Sequence, residues 1–317
     1  MAEAPQEVTE LAAARASARA AKDFALADRL RDQISDAGWT VADVPDGFTL
    51  EPAATAEPPT ADLRRRRAAD IVSVLDDEPT ADVSVQWVVE GWPEDVVRAI
   101  TAFRANQGDR TVHYVVADVT GTQPDTYGPD VEVIELEEGT GWASARNAGL
   151  KRAKGRLVFV MDGSIEPDGD VFGPLEEALA DPEVGVAGPF GIVTADLREF
   201  DDAPGAGDCD AVQGYFMALR REMLAKAGLF DEKFKWYRTA DIEYSFRVKD
   251  TGARAVVVPV PVSKHEHRMW FNTAPVDRAR FSKRNYYRFL DRWRDRWDLC
   301  VDPKPPEQHD HRPDHQH

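Results

Sequence analysis

Between residues 83 and 192 the chain alternates two hydrophobic periods. VSVQWVV (83–89), TVHYVVADV (111–119), VEVIEL (131–136) and RLVFVMD (156–162) are short apolar runs rich in β-branched residues, and they read as strands. PEDVVRAITAFRA (93–105) has helical spacing with Pro at its first turn, and WASARNAGLKRAKG (142–155) is a second helix ending at Gly155. PLEEALAD (174–181) and VGVAGPFGI (184–192) continue the alternation. Strand–helix alternation of this kind predicts an α/β fold with a mostly parallel sheet flanked by helices. Beyond residue 192 the pattern loses its regularity.

The first third reads differently. Residues 7–36 are dominated by Ala, Leu, Arg and Lys without Pro or Gly, and Gly38 supplies a stop, so the segment is expected to be helical. WTVADVPDGFTL (39–50) reads as a short extended or turn element, and EPAATAEPPT (51–60) as a linker. Arg64–Arg67 form a basic cluster with the pattern of a solvated linker charge. The expected organisation is a helical hairpin over 1–52, a linker over 53–80, an α/β domain over 81–300 and a polar, His-rich disordered tail over 301–317.

Charge narrows the function. The 317 residues carry a net charge of −18, which argues against broad affinity for nucleic acid or an anionic membrane. No apolar run is long enough to span a bilayer, and the N-terminus lacks a basic-then-apolar leader pattern. Two cysteines, Cys209 and Cys300, do not make a disulfide framework. A cytoplasmic protein is expected, with a homo-oligomer left open.

Ligands of open α/β sheets sit beyond the carboxyl ends of the strands. Glu90, Asp118 and Asp162 fall at such ends, where a lone acid also serves as a turn former. Asp241 and Glu243 stand two apart in WYRTADIEYSFR. Together they suggest one cleft able to hold a metal-bound phosphate and a general base. Arg146 is placed to meet a phosphate. His265 and His267 straddle Glu266, and strand alternation sends both to one face. Trp142, Trp236, Tyr237 and Trp270 read as stacking platforms or as core.

GWASARNAGLKRAKGRLVFVMDGS, then VQGYFMALRREMLAKAGLFDEKFKWYRTADIEYSFR, then FSKRNYYRFLDRW (281–293) follow one another in the order seen in family 2 glycosyltransferases. Residues from about 82 to 290 resemble that family, which implies the GT-A fold. The resemblance implies a nucleotide-diphospho-sugar donor, a hydroxyl acceptor, Mg²⁺ or Mn²⁺, and inversion. It assigns Asp162 to the metal and donor diphosphate, Asp118 to the nucleoside, Asp241 to the general base and His265 to the metal. Glu90, Arg146 and Ser164 fall on the donor side. Ser164 stands where the family has the second Asp of its DxD motif, Ala240 where it has Glu, and Glu243 where it has a last Asp. An inactive nucleotide-sugar-binding or scaffold protein is therefore an alternative. The absence of a Gln-x-x-Arg-Trp segment argues against a processive polysaccharide synthase.

Residues 11–52 resemble the extreme C-terminal segment of cysteinyl-tRNA synthetase. Lys22-Asp23-Phe24, Ala27-Asp28, Leu30-Arg31-Asp32, Gly38 and Pro45-Asp46-Gly47 carry the match. None of that enzyme's catalytic or zinc residues lies there. The segment reads as a packing or dimerisation hairpin, or as the docking end of a tRNA- or synthetase-linked adaptor.

Overall fold

The computed structural model describes residues 4–21, 23–37, 39–44, 47–52 and 65–304, and the chain divides into two units at residues 63 and 64. In the first unit, Gln6–Ala20 (α1) and Phe24–Asp36 (α2) form the expected helical hairpin. The run is broken at Asp23, whose Oδ1 accepts the Leu26 N–H (3.0 Å) and caps α2. Trp39–Val44 (β1) and Gly47–Pro52 (β2) pair antiparallel, so the expected extended element is a β-hairpin. Val8, Ala12 and Ile34 form a small core, closed by Leu11, Trp39, Val41, Phe48 and Leu50.

The second unit begins earlier than the sequence suggested. Residues 53–64 and the tail from 305 lie outside the described residues. Residues 65–80, read as linker, pack on the sheet instead. Ala68 and Ile71 are buried against Val115, Ile134 and Leu136, and Arg66 exchanges backbone hydrogen bonds with Glu135 and Glu137. The apolar positions were too sparse to reveal this packing.

The sheet unit runs in the order Ala81–Val89 (β3), Pro93–Asn106 (α3), Val112–Asp118 (β4), Val131–Glu135 (β5), Trp142–Leu150 (α4) and Gly155–Met161 (β6). There follow Ile165–Pro167 (β7), Phe172–Ala180 (α5), Val184–Gly188 (β8), Gly191–Val193 (β9), Asp201–Asp202 (β10), Gly207–Cys209 (β11) and Ala211–Val212 (β12). The chain continues as Phe216–Arg220 (β13), Met223–Lys226 (α6), Ala240–Asp250 (α7), Arg254–Val257 (β14), Val262–Lys264 (β15), Arg268–Asn272 (α8) and Pro275–Trp293 (α9). Eight strands make one sheet in the order β11-β14-β8-β13-β6-β3-β4-β5. The pairs among β6, β3, β4 and β5 and the pair β14–β8 are parallel, while β13 runs antiparallel between β6 and β8.

Both faces are covered, which is why these strands read as continuous apolar runs. In β6, Phe159 and Met161 join Trp87, Phe103, Phe172 and Phe216 in one core. Val158 and Val160 face the other way, toward Leu219, Phe230 and Tyr244. The chain leaves β3 toward β4 and β5, then returns to lay β6 on the other side of β3. That reversal opens a crevice at the carboxyl ends of β3 and β6. Among the described residues no helix is long and apolar enough to cross a membrane.

Candidate functional site

Two cavities open at that crevice. The larger holds about 830 Å³ and is lined by Asp162, Asp241 and His267, among others. The smaller, about 60 Å³, holds Glu90. They share Trp142, Arg146, Asp162, Tyr237, Glu266 and His267.

Asp162 follows β6 directly. Its Oδ1 accepts from the Ser164 N–H (2.8 Å) and hydroxyl (2.5 Å), and its Oδ2 lies 3.1 Å from His267 Nε2. Burial opposes ionisation, but hydrogen bonds from His267 and Ser164 hold the carboxyl below its ordinary value. Nδ1 of His267 accepts the Trp270 N–H (3.2 Å), which puts the ring proton on Nε2, facing Asp162. His267 also packs against Tyr237, with ring centroids 4.5 Å apart.

His267, rather than His265, is the histidine that touches Asp162. His265 lines the same cavity, but its ring is paired with Glu166 (2.7 Å) and keeps 41% of its side chain exposed. β15 ends at Lys264. Strand alternation therefore does not reach the two histidines, and they have different partners.

Asp241 opens α7. Its Oδ2 accepts the Gly214 N–H (2.7 Å) and its Oδ1 the N–H of Ile242 (2.9 Å). Burial raises its pKa, and the Gly214 and Ile242 amides only partly offset that. Gly214 leaves room for this approach, since a Cβ there would meet Asp241 Cβ at 3.2 Å. Glu243 lies off the cavity, buried against Arg247 (3.0 Å) and Arg292 (3.3 Å).

Arg146, expected to meet a phosphate, lines both cavities and is also a buried tie between strands. Its Nη1 donates to Gln86 O (3.0 Å) and Oε1 (2.6 Å), and its Nη2 donates to Met161 O (3.0 Å). Burial lowers its pKa to about 10, opposed by Asp162 and Glu90. Its neighbour Asn147 clamps Phe230, accepting its N–H (2.9 Å) and donating to its carbonyl (2.8 Å). Gly149 lies where any Cβ would meet the Gln86 amide at 2.3 Å. The Arg-Asn-x-Gly pattern thus locks α4 to the sheet and to the turn at Phe230.

Glu90 stands at the β3 end, in the small cavity beside Asp162. Its pKa is pushed up to about 7 by burial, with Asp162 adding to the rise and Arg146 and His267 opposing it.

Asp118, assigned to the nucleoside, lines neither cavity. It is 1% exposed, and its oxygens are occupied by Thr120, Gly121 and the Tyr127 hydroxyl (2.5 Å), so it organises the loop after β4. Ser164 is 4% exposed and turned onto Asp162, supporting that carboxylate. Sequence reasoning passed over Lys264, Lys283 and Tyr286, which line the larger cavity.

The chemistry of a hard divalent cation suits part of this set. Asp162 offers an oxygen and His267 a nitrogen side by side. The Trp270 N–H also reaches His267 O (3.0 Å), so the imidazole can release its cap and change tautomer. Among the described residues, no group of three His, Cys, Asp or Glu side chains is arranged to hold a metal. Mg²⁺-type sites commonly use one or two protein ligands with substrate phosphates and water completing the shell.

A mostly parallel sheet, with β13 antiparallel inside it and β11 antiparallel at its edge, and an acid at the end of β6 fit a GT-A fold. Residues 105–243 match the sequence model described as glycosyl transferase family 2, bearing out the resemblance seen in the sequence. The structure is similar to that of GalNAc-T7 with UDP, GalNAc and Mn²⁺. The TM-score is 0.56 at 16% identity, over 69% of this chain and 50% of that one, a likeness of fold. It aligns less well with the mannosyltransferase PcManGT from Pyrobaculum calidifontis in complex with GDP-Man and Mn²⁺, with TM-score 0.45, 19% identity, and 62% and 59% of the two chains.

A separate likeness covers a short segment. A cysteine–tRNA ligase of Opitutus terrae is 58% identical over 52 residues, 16% of this chain and 11% of the ligase. Cysteine–tRNA ligase 1 of Burkholderia lata is 50% identical over 46 residues, 14% and 10% of the two chains. The chain thus spans about a tenth of these ligases.

Proposed function

We propose that this chain transfers a sugar from a nucleotide-diphospho-sugar to an acceptor hydroxyl, with inversion at the anomeric carbon. The observation that carries the reading is the single cavity shared by Asp162 and Asp241, at the sheet's switch point. The family 2 match over 105–243 and the GT-A fold support it. Asp162 and His267 are the residues that would hold Mg²⁺ or Mn²⁺, the ion present with UDP in the GalNAc-T7 structure. A bound cation would neutralise charge on the departing diphosphate.

The chain's own groups supply the rest. Asp241 faces the cavity with a carboxylate of raised pKa, a better proton acceptor than an ordinary Asp. The acceptor oxygen bonds to the anomeric carbon as the carbon–oxygen bond to the diphosphate breaks. The proton passes to Asp241, and the bonding electron pair leaves with the diphosphate. Arg146 keeps a fixed positive charge behind Asp162 and Glu90. The N-terminal unit is read as a docking module without a catalytic part.

A second reading, binding without turnover, is favoured by one feature. Ser164 replaces a carboxylate and occupies Asp162 Oδ1. Calorimetry with a panel of nucleotide sugars, with and without Mn²⁺, followed by turnover assays, separates the readings. Metal-dependent binding abolished by Asp162→Ala, with product formation abolished by Asp241→Asn, supports transfer. Binding with no turnover on any acceptor favours the second reading, and no binding of any donor defeats both.

A further inference from the structure

Three cations that line the larger cavity make no close ion pair with a carboxylate among the described residues, although Asp241 lies within electrostatic reach of Arg238, and Asp202 and Asp162 of Lys264. Elsewhere in this acidic chain arginines are held by acids: Arg98 by Asp95, Arg110 by Glu176, Arg247 by Glu243, Arg254 by Asp181 and Arg296 by Asp250. Arg238, Lys264 and Lys283 line the cavity and form no ion pair among the described residues. Arg238 lies over the Trp270 ring, 4.9 Å from its centroid, and Lys264 lies over Tyr215 at 3.5 Å. Arg278 takes the Trp270 ring as well, at 4.7 Å. Aromatic faces hold these side chains in place without neutralising them.

Lys264 lies within electrostatic reach of Asp162, while no such coupling to Asp162 is seen for Arg238 or Lys283. The residues common to both cavities are those around Asp162 and His267. Arg238, Lys264 and Lys283 line only the larger cavity, as Asp241 does. The same end carries Ile192, Phe200 and Tyr286, an apolar wall for the body of a ligand. Acids are present too: Asp202 is engaged by Gln213 (2.8 Å), and Glu266 lies in the part shared with the donor end. Three separated positive groups call for more than one negative charge, and a phosphate monoester carries nearly two. Guanidinium and ammonium groups are suited to it.

We propose that the acceptor carries a phosphate ester, held by Arg238 and Lys283 with Lys264 beside them, so that its free hydroxyl lies toward Asp241. This rests on the glycosyl-transfer reading for the word acceptor, but the phosphate site stands on its own residues.

The test uses the full chain and calorimetry with glycerol 3-phosphate, with glycerol as the uncharged control. Vesicles of phosphatidylcholine with and without phosphatidic acid separate a soluble from a lipid-borne phosphate. Glycerol 3-phosphate or phosphatidic-acid vesicles are expected to bind, and glycerol and plain vesicles are not. Arg238→Ala and Lys283→Ala should each weaken binding roughly tenfold, and Lys283→Arg should restore it. Both side chains are exposed, so folding is retained. Asp162→Ala, which removes a negative charge near Lys264, should not weaken the affinity. Phosphate binding with this variant pattern, in a protein that binds no nucleotide sugar, supports the site while removing its acceptor role. Absence of binding to either phosphate probe overturns the proposal. So does binding indifferent to Arg238 and Lys283, or competition by UDP or GDP with equal loss of nucleotide affinity in those variants.

Discussion

Asp162 and Asp241 are joined through one dipeptide: the Asp162 N–H donates to Tyr215 O (3.0 Å), and the Gly214 N–H donates to Asp241 Oδ2 (2.7 Å). The two acids are far apart in the sequence and meet because residues 214–215 lie between them. Asn at 241 still offers an oxygen to Gly214, so Asp241→Asn should keep the fold and the donor affinity. It should lower turnover by about 10²–10⁴-fold, the usual contribution of a general base. Initial rates beside donor calorimetry check this, and an unchanged rate would remove Asp241 from the chemistry.

The 3.1 Å contact between His267 and Asp162 makes a contrast between neighbouring histidines. His267→Ala should weaken Mn²⁺-dependent donor binding by tenfold or more. His265→Ala, which removes one partner of Glu166 and leaves Arg98 (3.2 Å), should leave it nearly unchanged. Equal losses in both variants would contradict the assignment.

Glu90 gives a stability signature. Its folded pKa, about 7, lies above the ordinary 4.5, so the folded state holds a proton that the unfolded chain releases. The associated stability is complete below about pH 4.5 and is lost as pH rises through about 7. Glu90→Gln removes this titration. Denaturant melts across that range should show wild type losing up to about 3 kcal/mol relative to the variant. Parallel curves would mean that the carboxyl is better solvated than its cavity suggests.

Asn147 is a structural prediction. Its amide meets both backbone groups of Phe230, so Asn147→Ala leaves a buried N–H and carbonyl without partners. A loss of about 1–3 kcal/mol per orphaned group is expected in chemical denaturation. Donor affinity per folded molecule should change far less.

Strands β3, β4, β6 and β8 were legible because each is largely buried on both faces and reads as an apolar run. Asp162 and Asp241 were legible because an acid at the end of such a run, or opening a helix, has few purely structural uses. Asp118 shares the first signature yet serves its own loop, since Thr120 and Tyr127 supply partners that spacing does not reveal. His265 and His267 could not be told apart because the end of β15 is set by pairing with β7, a contact with residues about 100 positions away. The cationic end of the cavity was invisible because Arg238, Lys264 and Lys283 converge from three segments.

The burial of Arg146 has a consequence for how the cavity answers to electrolyte. A guanidinium held by carbonyls of β3 and β6 is shielded from mobile ions, whereas Arg238 and Lys283 stand in water. The donor end should therefore be electrically insulated, with an affinity that changes little as ionic strength rises. The far end should weaken steeply over the same range, so that one vessel recognises its two guests under different screening.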